Sequence, residues 1–193
     1  MGTQEWCGTE RAMRGKEHLA FGITTSVALA AVAGNPESAY LPNIGLTVMF
    51  GAIGSLLPDG FDSHSSMLGK FVPFSGLIEK TIGHRTLFHD VIFWAVVAYY
   101  ATCRFPLSLP IWFGVAGHLF LDAMNTSGIS FGFPVLRKKR SSIRIHILPE
   151  SARFDSGSPA SVLVSWALCA SIVFFFFPQF SQTVVNLKNF FGI

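Results

Sequence analysis

Asp59, Asp62, His84, His89, His118 and Asp122 all fall within one stretch of the chain, each near the edge of an apolar run. Imidazoles and carboxylates are the side chains that hold borderline and hard divalent cations. His118 and Asp122 stand four apart in a run that reads as helix, so both would project from one face and could clamp a single ion. His84 and His89 are five apart and would point to different sides of a continuous helix. They can converge if His84 lies in the loop after Gly83 and His89 in the first turn of the next helix. Asp59 and Asp62 straddle Gly60, in a turn whose backbone lets both carboxylates aim at one point. His18, which opens the first apolar run, is the seventh candidate. Seven ligands exceed the four of a closed mononuclear site, so the set predicts either two ions or one ion with further carboxylates orienting the histidines.

The donor set suits zinc first, with manganese or iron as alternatives, and does not suit an ion that prefers thiolates. Cys7, Cys103 and Cys169 are odd in number, widely spaced and free of any C-x-x-C pattern, which excludes a thiolate zinc site or a disulfide framework. An ion with an open position acidifies a bound water and so prepares a hydrolytic nucleophile. Asp62, or whichever carboxylate is not a ligand, would then act as general base, and the Arg85 guanidinium could neutralise a phosphoryl oxygen. His64 lies among Ser63, Ser65 and Ser66, and His146 alternates with Ile143, Ile145 and Ile147, so both read as exposed.

The elements that must position these residues are apolar. Half of the 193 residues are hydrophobic, 20 are phenylalanine and only 13% are charged, with a mean hydropathy of +0.47. That leaves too little polar surface to cover a soluble domain and predicts an all-α membrane protein, a bundle of about five transmembrane helices. The apolar runs are Leu19 to Ala33, a second ending at Pro58, Leu87 to Cys103, Ile111 to Met124, and Val162 to Phe177 before Pro178. Several fall short of the roughly 20 residues that cross a hydrocarbon core and need flanking residues to span. The first run, with its basic flank and Ala31-Val32-Ala33, also has features of a cleavable signal peptide, but Thr24, Thr25 and Ser26 dilute its core.

Lysine and arginine gather before the first run, between the second and third, and between the fourth and fifth, where Arg137, Lys138, Lys139, Arg140, Arg144 and Arg153 lie. This places the N-terminus and all the candidate ligands at the cytoplasmic end. The net charge of +3 is thereby a matter of topology and anionic lipid, not of nucleic acid. The chain divides into a cytoplasmic segment (1–17), a four-helix membrane domain carrying the site (18–136), a basic loop (137–157), and a fifth helix with its tail (158–193). Short alternating runs, Phe131 to Val135 and Ile143 to Ile147, have the pattern of a hairpin.

Leu57-Pro58-Asp59 with a second acid close behind, His84-Arg85-Thr86-Leu87-Phe88-His89, Gly117-His118 with Asp122, and then Thr126-Ser127-Gly128 and Pro134 form a combined pattern. It resembles that of the membrane-bound metal-dependent hydrolase family, the YdjM-like inner-membrane proteins, over roughly residues 16 to 136. The resemblance implies a multi-pass bacterial inner-membrane protein with a hydrolase site distantly similar to zinc-dependent phospholipase C. Its metal residues would be His18, Asp59, His84, His89, His118 and Asp122. The family usually reads Pro-Asp-hydrophobic-Asp-His, whereas here Gly60-Phe61 separates the acids and Ser63 follows Asp62, leaving His64 as a displaced candidate.

The first expectation is thus a hydrolase of phosphoester or lipid-linked substrates at the cytoplasmic interface, with membrane lipids as its partners. The alternatives are a metal-ion transporter or a metal-binding membrane protein without hydrolytic activity, and a scaffold whose polar cluster only joins helices. Transport would call for ionisable residues continuing to the far side, and the third and fifth runs have none there.

Overall fold

The computed structural model describes residues 6–33, 44–60, 87–132, 143–155 and 157–191, with side chains over 15–32, 44–60, 87–132, 143–155 and 157–175. It is mostly helical. Five α-helices lie among the described residues: α1 (Trp6–Ala33), α2 (Ile44–Gly60), α3 (Val91–Arg104), α4 (Leu109–Met124) and α5 (Pro159–Phe191). Single 3-10 turns at Leu87–His89 and Pro106–Ser108 lead into α3 and α4. Of the helical stretches, Pro106–Met124 is long and apolar enough to cross a bilayer unaided, while Ile44–Gly60, Val91–Arg104 and Pro159–Phe175 are apolar but shorter.

Three helix boundaries differ from the sequence expectation. His18 does not open the first helix but sits well inside α1, which starts at Trp6. Hydropathy marks where apolar residues begin, and no proline or turn signal stops a helix from continuing through the polar residues before them. α2 passes Pro58 by two residues and takes in Asp59. α5 continues through Pro178 to Phe191, a proline of the kind that apolar helices accommodate when neighbouring groups satisfy the freed carbonyl.

α1, α2 and α4 form the packed heart of the bundle, and α5 lies against α1. Their approach is backbone to backbone. A Cβ on Gly54 would run into the Ile111 carbonyl of α4, and one on Gly114 into the Gly51 carbonyl of α2. Without a strong hydrophobic force between helices in lipid, small residues of this kind are what let two helices pack closely. Ser26, fully buried, donates its hydroxyl to the Gly22 and Pro110 carbonyls at 2.8 and 2.9 Å, tying α1 to the start of α4. A smaller apolar cluster of Trp94, Val115, Leu119, Ala123 and Ile129 joins α3 and α4 to the segment after α4.

That segment forms β1 (Ile129–Phe131), which pairs antiparallel with β2 (Ile143–Ile145) in the register Ile129 to Ile145 and Phe131 to Ile143. The expected hairpin is present, with its first strand two residues earlier than the alternation suggested. Gly128 enters it at φ +61. His146, expected to be exposed, is half-buried, its Nε2 3.2 Å from the Thr126 carbonyl. The reason is Gly128, where a Cβ would stand only 2.6 Å from the His146 ring.

Candidate metal centre

Four separate elements bring five of the candidate ligands to one point. α1 contributes His18, α2 contributes Asp59, the turn before α3 contributes His89, and α4 contributes His118 and Asp122. All are buried: His18 is 4% exposed, Asp59 8%, His89 2%, His118 0% and Asp122 1%. Asp62, His84 and Arg85, together with His64, lie outside the described residues.

His118 is the centre of the group. Its Nδ1 donates to the Ser55 carbonyl of α2 at 2.6 Å. A carbonyl only accepts, so Nδ1 carries the hydrogen, and the ring in its neutral form turns a lone pair inward from Nε2. That Nε2 makes no hydrogen bond although fully buried, and neither does Asp122 Oδ2. The two atoms face each other at 3.3 Å. Asp59 Oδ1 stands 3.7 Å from the same nitrogen. His89 Nε2 lies 3.2 Å from Asp59 Oδ1 and 3.3 Å from Asp122 Oδ2. His18 stacks on His118 with ring centroids 4.1 Å apart, its Nε2 3.6 Å from Asp122 Oδ1.

Lone pairs opposed in a buried pocket repel unless a proton or a metal cation lies between them. Among the described residues the ion-pair partners of Asp59 and Asp122 are histidines, with no lysine or arginine. With the imidazoles neutral, as metal ligands must be, the two carboxylates leave a double negative charge that burial strongly disfavours. One divalent cation cancels it. The spacing also fits, since adjacent ligands on an ion with bonds of about 2.1 Å must sit about 3.0–3.5 Å apart. The observed neighbouring separations run from 3.2 to 3.7 Å. Two overlapping triads have donor atoms close enough to share an ion, His18 with His118 and Asp122, and Asp59 with His89 and His118.

His89 is not in the first turn of α3 as its spacing suggested. It ends the 3-10 turn and is held by its neighbour. Asp90, fully buried, caps α3 by accepting from Phe93 N at 3.0 Å, and its backbone bridges to Ser130 of β1. Trp94 Nε1 donates to the Phe88 carbonyl at 2.7 Å, fixing the residue on the other side of His89. Removing the cap by Asp90→Ala should lower stability by about 1 kcal/mol, with Asp90→Asn retaining most of it. Thermal unfolding of the two variants in detergent checks this.

Three further residues gain a place around the centre. Asn125 Nδ2 lies 3.4 Å from Asp122 Oδ1. Glu17, next to His18 and buried, accepts from Ser161 Oγ at 3.0 Å, so that the start of α5 is fastened to α1 beside the ligand. Asp90 was readable as an N-cap, standing just before an apolar run. Nothing in the sequence marks Glu17 or the Ser55 carbonyl, whose roles arise only from packing.

A family model described as YdjM inner membrane protein matches residues 13–183. The "Uncharacterized protein YvsG" of Bacillus subtilis (strain 168) is 30% identical over 166 residues, 84% of this chain and 95% of that protein. No solved structure matches.

Proposed function

The chain belongs to the YdjM inner membrane protein family, and from that premise we propose that it is a multi-pass, metal-dependent hydrolase acting on a phosphoester or lipid-linked substrate at the cytoplasmic face of the membrane. The observation that carries this reading is the convergence of buried imidazole and carboxylate donor atoms on His118 Nε2. Asp59, His89, His118 and Asp122 would hold the ion, with His18 closing the α1 side. Because Nδ1 of His118 is engaged by Ser55, both triads must share its one free nitrogen, which favours a single ion centred there. Zinc suits the mixture of imidazole and carboxylate, as do manganese and iron. When bound, such an ion supplies a water acidic enough to attack at neutral pH.

The chain's own residues supply position and access. The Ser55 carbonyl fixes the His118 ring, and the turn capped by Asp90 fixes His89. Asp59 is the most open ligand, its side chain 11% accessible against 6% or less for the others. Substrate would therefore approach past the end of α2, the side on which the sequence continues to Asp62. Asp62 is proposed as the general base and Arg85 as the partner of a phosphoryl oxygen. The centre lies near the ends of α2 and α4, which supports a position at the membrane interface and with it a lipid-linked substrate.

The test is a panel of phosphodiesters and phospholipids presented to the purified protein in lipid nanodiscs. Hydrolysis should disappear with chelator and return with zinc or manganese. Hydrolysis that persists after the ion is removed would overturn the mechanism, and binding of metal with no turnover across the panel would favour the non-hydrolytic alternative.

A further inference from the structure

The β1–β2 hairpin has one apolar face, and only half of it is covered. Residues paired across an antiparallel ladder share a face, so Ile129, Phe131, Ile143 and Ile145 lie together, opposite Ser130 and Arg144. Ile129 is inserted in the cluster between α3 and α4. Its partner Ile145 is 37% exposed, with Ile143 at 54% and Ile147, next in the alternation, at 51%. The row thus begins in the bundle's core and runs out past its edge. It does so at the end that carries the metal ligands, because β1 bridges to Asp90 and Ile147 N bonds the Ala123 carbonyl.

We infer that this hairpin seats on an anionic lipid surface, with Ile143, Ile145 and Ile147 buried at the headgroup boundary. Two observations identify the occupant. The apolar face continues a surface already facing the bundle's apolar interior, as an element lying flat in the interface must. The connection between Phe131 and Ile143 contains Arg137, Lys138, Lys139 and Arg140 in succession, a cluster attracted by anionic headgroups and repelled by cationic surfaces. On the opposite face, Arg144 Nη1 donates to the Ser127 carbonyl at 2.6 Å, so this arginine is turned back to the protein. The inference does not depend on the bound ion or on hydrolysis.

A spin label at Ile145→Cys, in a protein with Cys7, Cys103 and Cys169 changed to serine, reads the seating directly. In nanodiscs of phosphatidylglycerol and phosphatidylethanolamine, the label should be accessible to dissolved oxygen and shielded from a water-soluble relaxation agent. In phosphatidylcholine discs, or with all four basic residues 137–140 changed to glutamine, its exposure to the aqueous agent should rise several-fold. A second label at exposed Glu150→Cys, beyond the hairpin, should stay aqueous in every disc, so that a change confined to position 145 is local to the hairpin. An unchanged thermal unfolding temperature of each labelled protein shows that it is folded. A position-145 label equally open to water in both lipid compositions would overturn the inference, and lipid burial indifferent to charge would overturn the role of the basic cluster.

Discussion

Protein purified without chelator should contain close to one divalent ion per chain, and Asp122→Ala or His118→Ala should lose it, with affinity falling by at least about 100-fold. Asp122 presents one carboxylate oxygen to His89 and His118 and the other to His18, so no second residue can take over its position. His118→Ala removes the nitrogen common to both triads. Asp155→Ala serves as the control, because that carboxylate is exposed and engaged only with Thr126 among the described residues. Elemental analysis of the four proteins, with thermal unfolding in the presence and absence of chelator, decides the matter. An ion that binds only the folded chain stabilises it, so chelation should lower the unfolding temperature of the wild type and leave Asp122→Ala unmoved. A scaffold in which histidines simply pair with carboxylates would show no stoichiometric ion and no response to chelator.

The second large effect lies away from any ligand. Gly54→Val and Gly114→Val each place methyl groups where the partner helix has a main-chain carbonyl, and a backbone cannot swing aside as a side chain can. Overpacking of this kind should cost about 3 kcal/mol. It should also weaken metal binding, since α2 carries Asp59 and the Ser55 carbonyl while α4 carries His118 and Asp122. Gly45 provides the comparison: a Cβ there meets nothing within 4 Å, so Gly45→Ala should be neutral or slightly stabilising through helix propensity. Equal unfolding temperatures for Gly45→Ala and Gly54→Val would mean that the close approach of α2 and α4 is not what holds the bundle.

The ligand types and the four-residue spacing of His118 and Asp122 were legible because metal chemistry restricts which side chains serve and helix geometry fixes which of them share a face. His89 was legible as a candidate ligand but not in its conformation, since the turn that holds it depends on Asp90 and on β1, brought in from elsewhere. The start of α1 was hidden because polar residues can be helical without being apolar. The glycine contacts among α1, α2 and α4 were present in the sequence as Gly51, Gly54, Gly114 and Gly117, yet their pairing needs the third dimension. For the same reason Glu17, adjacent to a predicted ligand, passed as one more charge in a polar segment.

The bond from His118 to the Ser55 carbonyl has a corollary for how such proteins change over time. A ring steadied by main chain does not depend on which side chain stands at that position. Substitution at residue 55 is restrained only by bulk, because the space beside Gly22 admits little more than a hydroxymethyl group. Drift to alanine there would leave the imidazole oriented as before. The support of the central histidine is thus inherited through the path of the backbone, and a comparison of residue identities alone would overlook it.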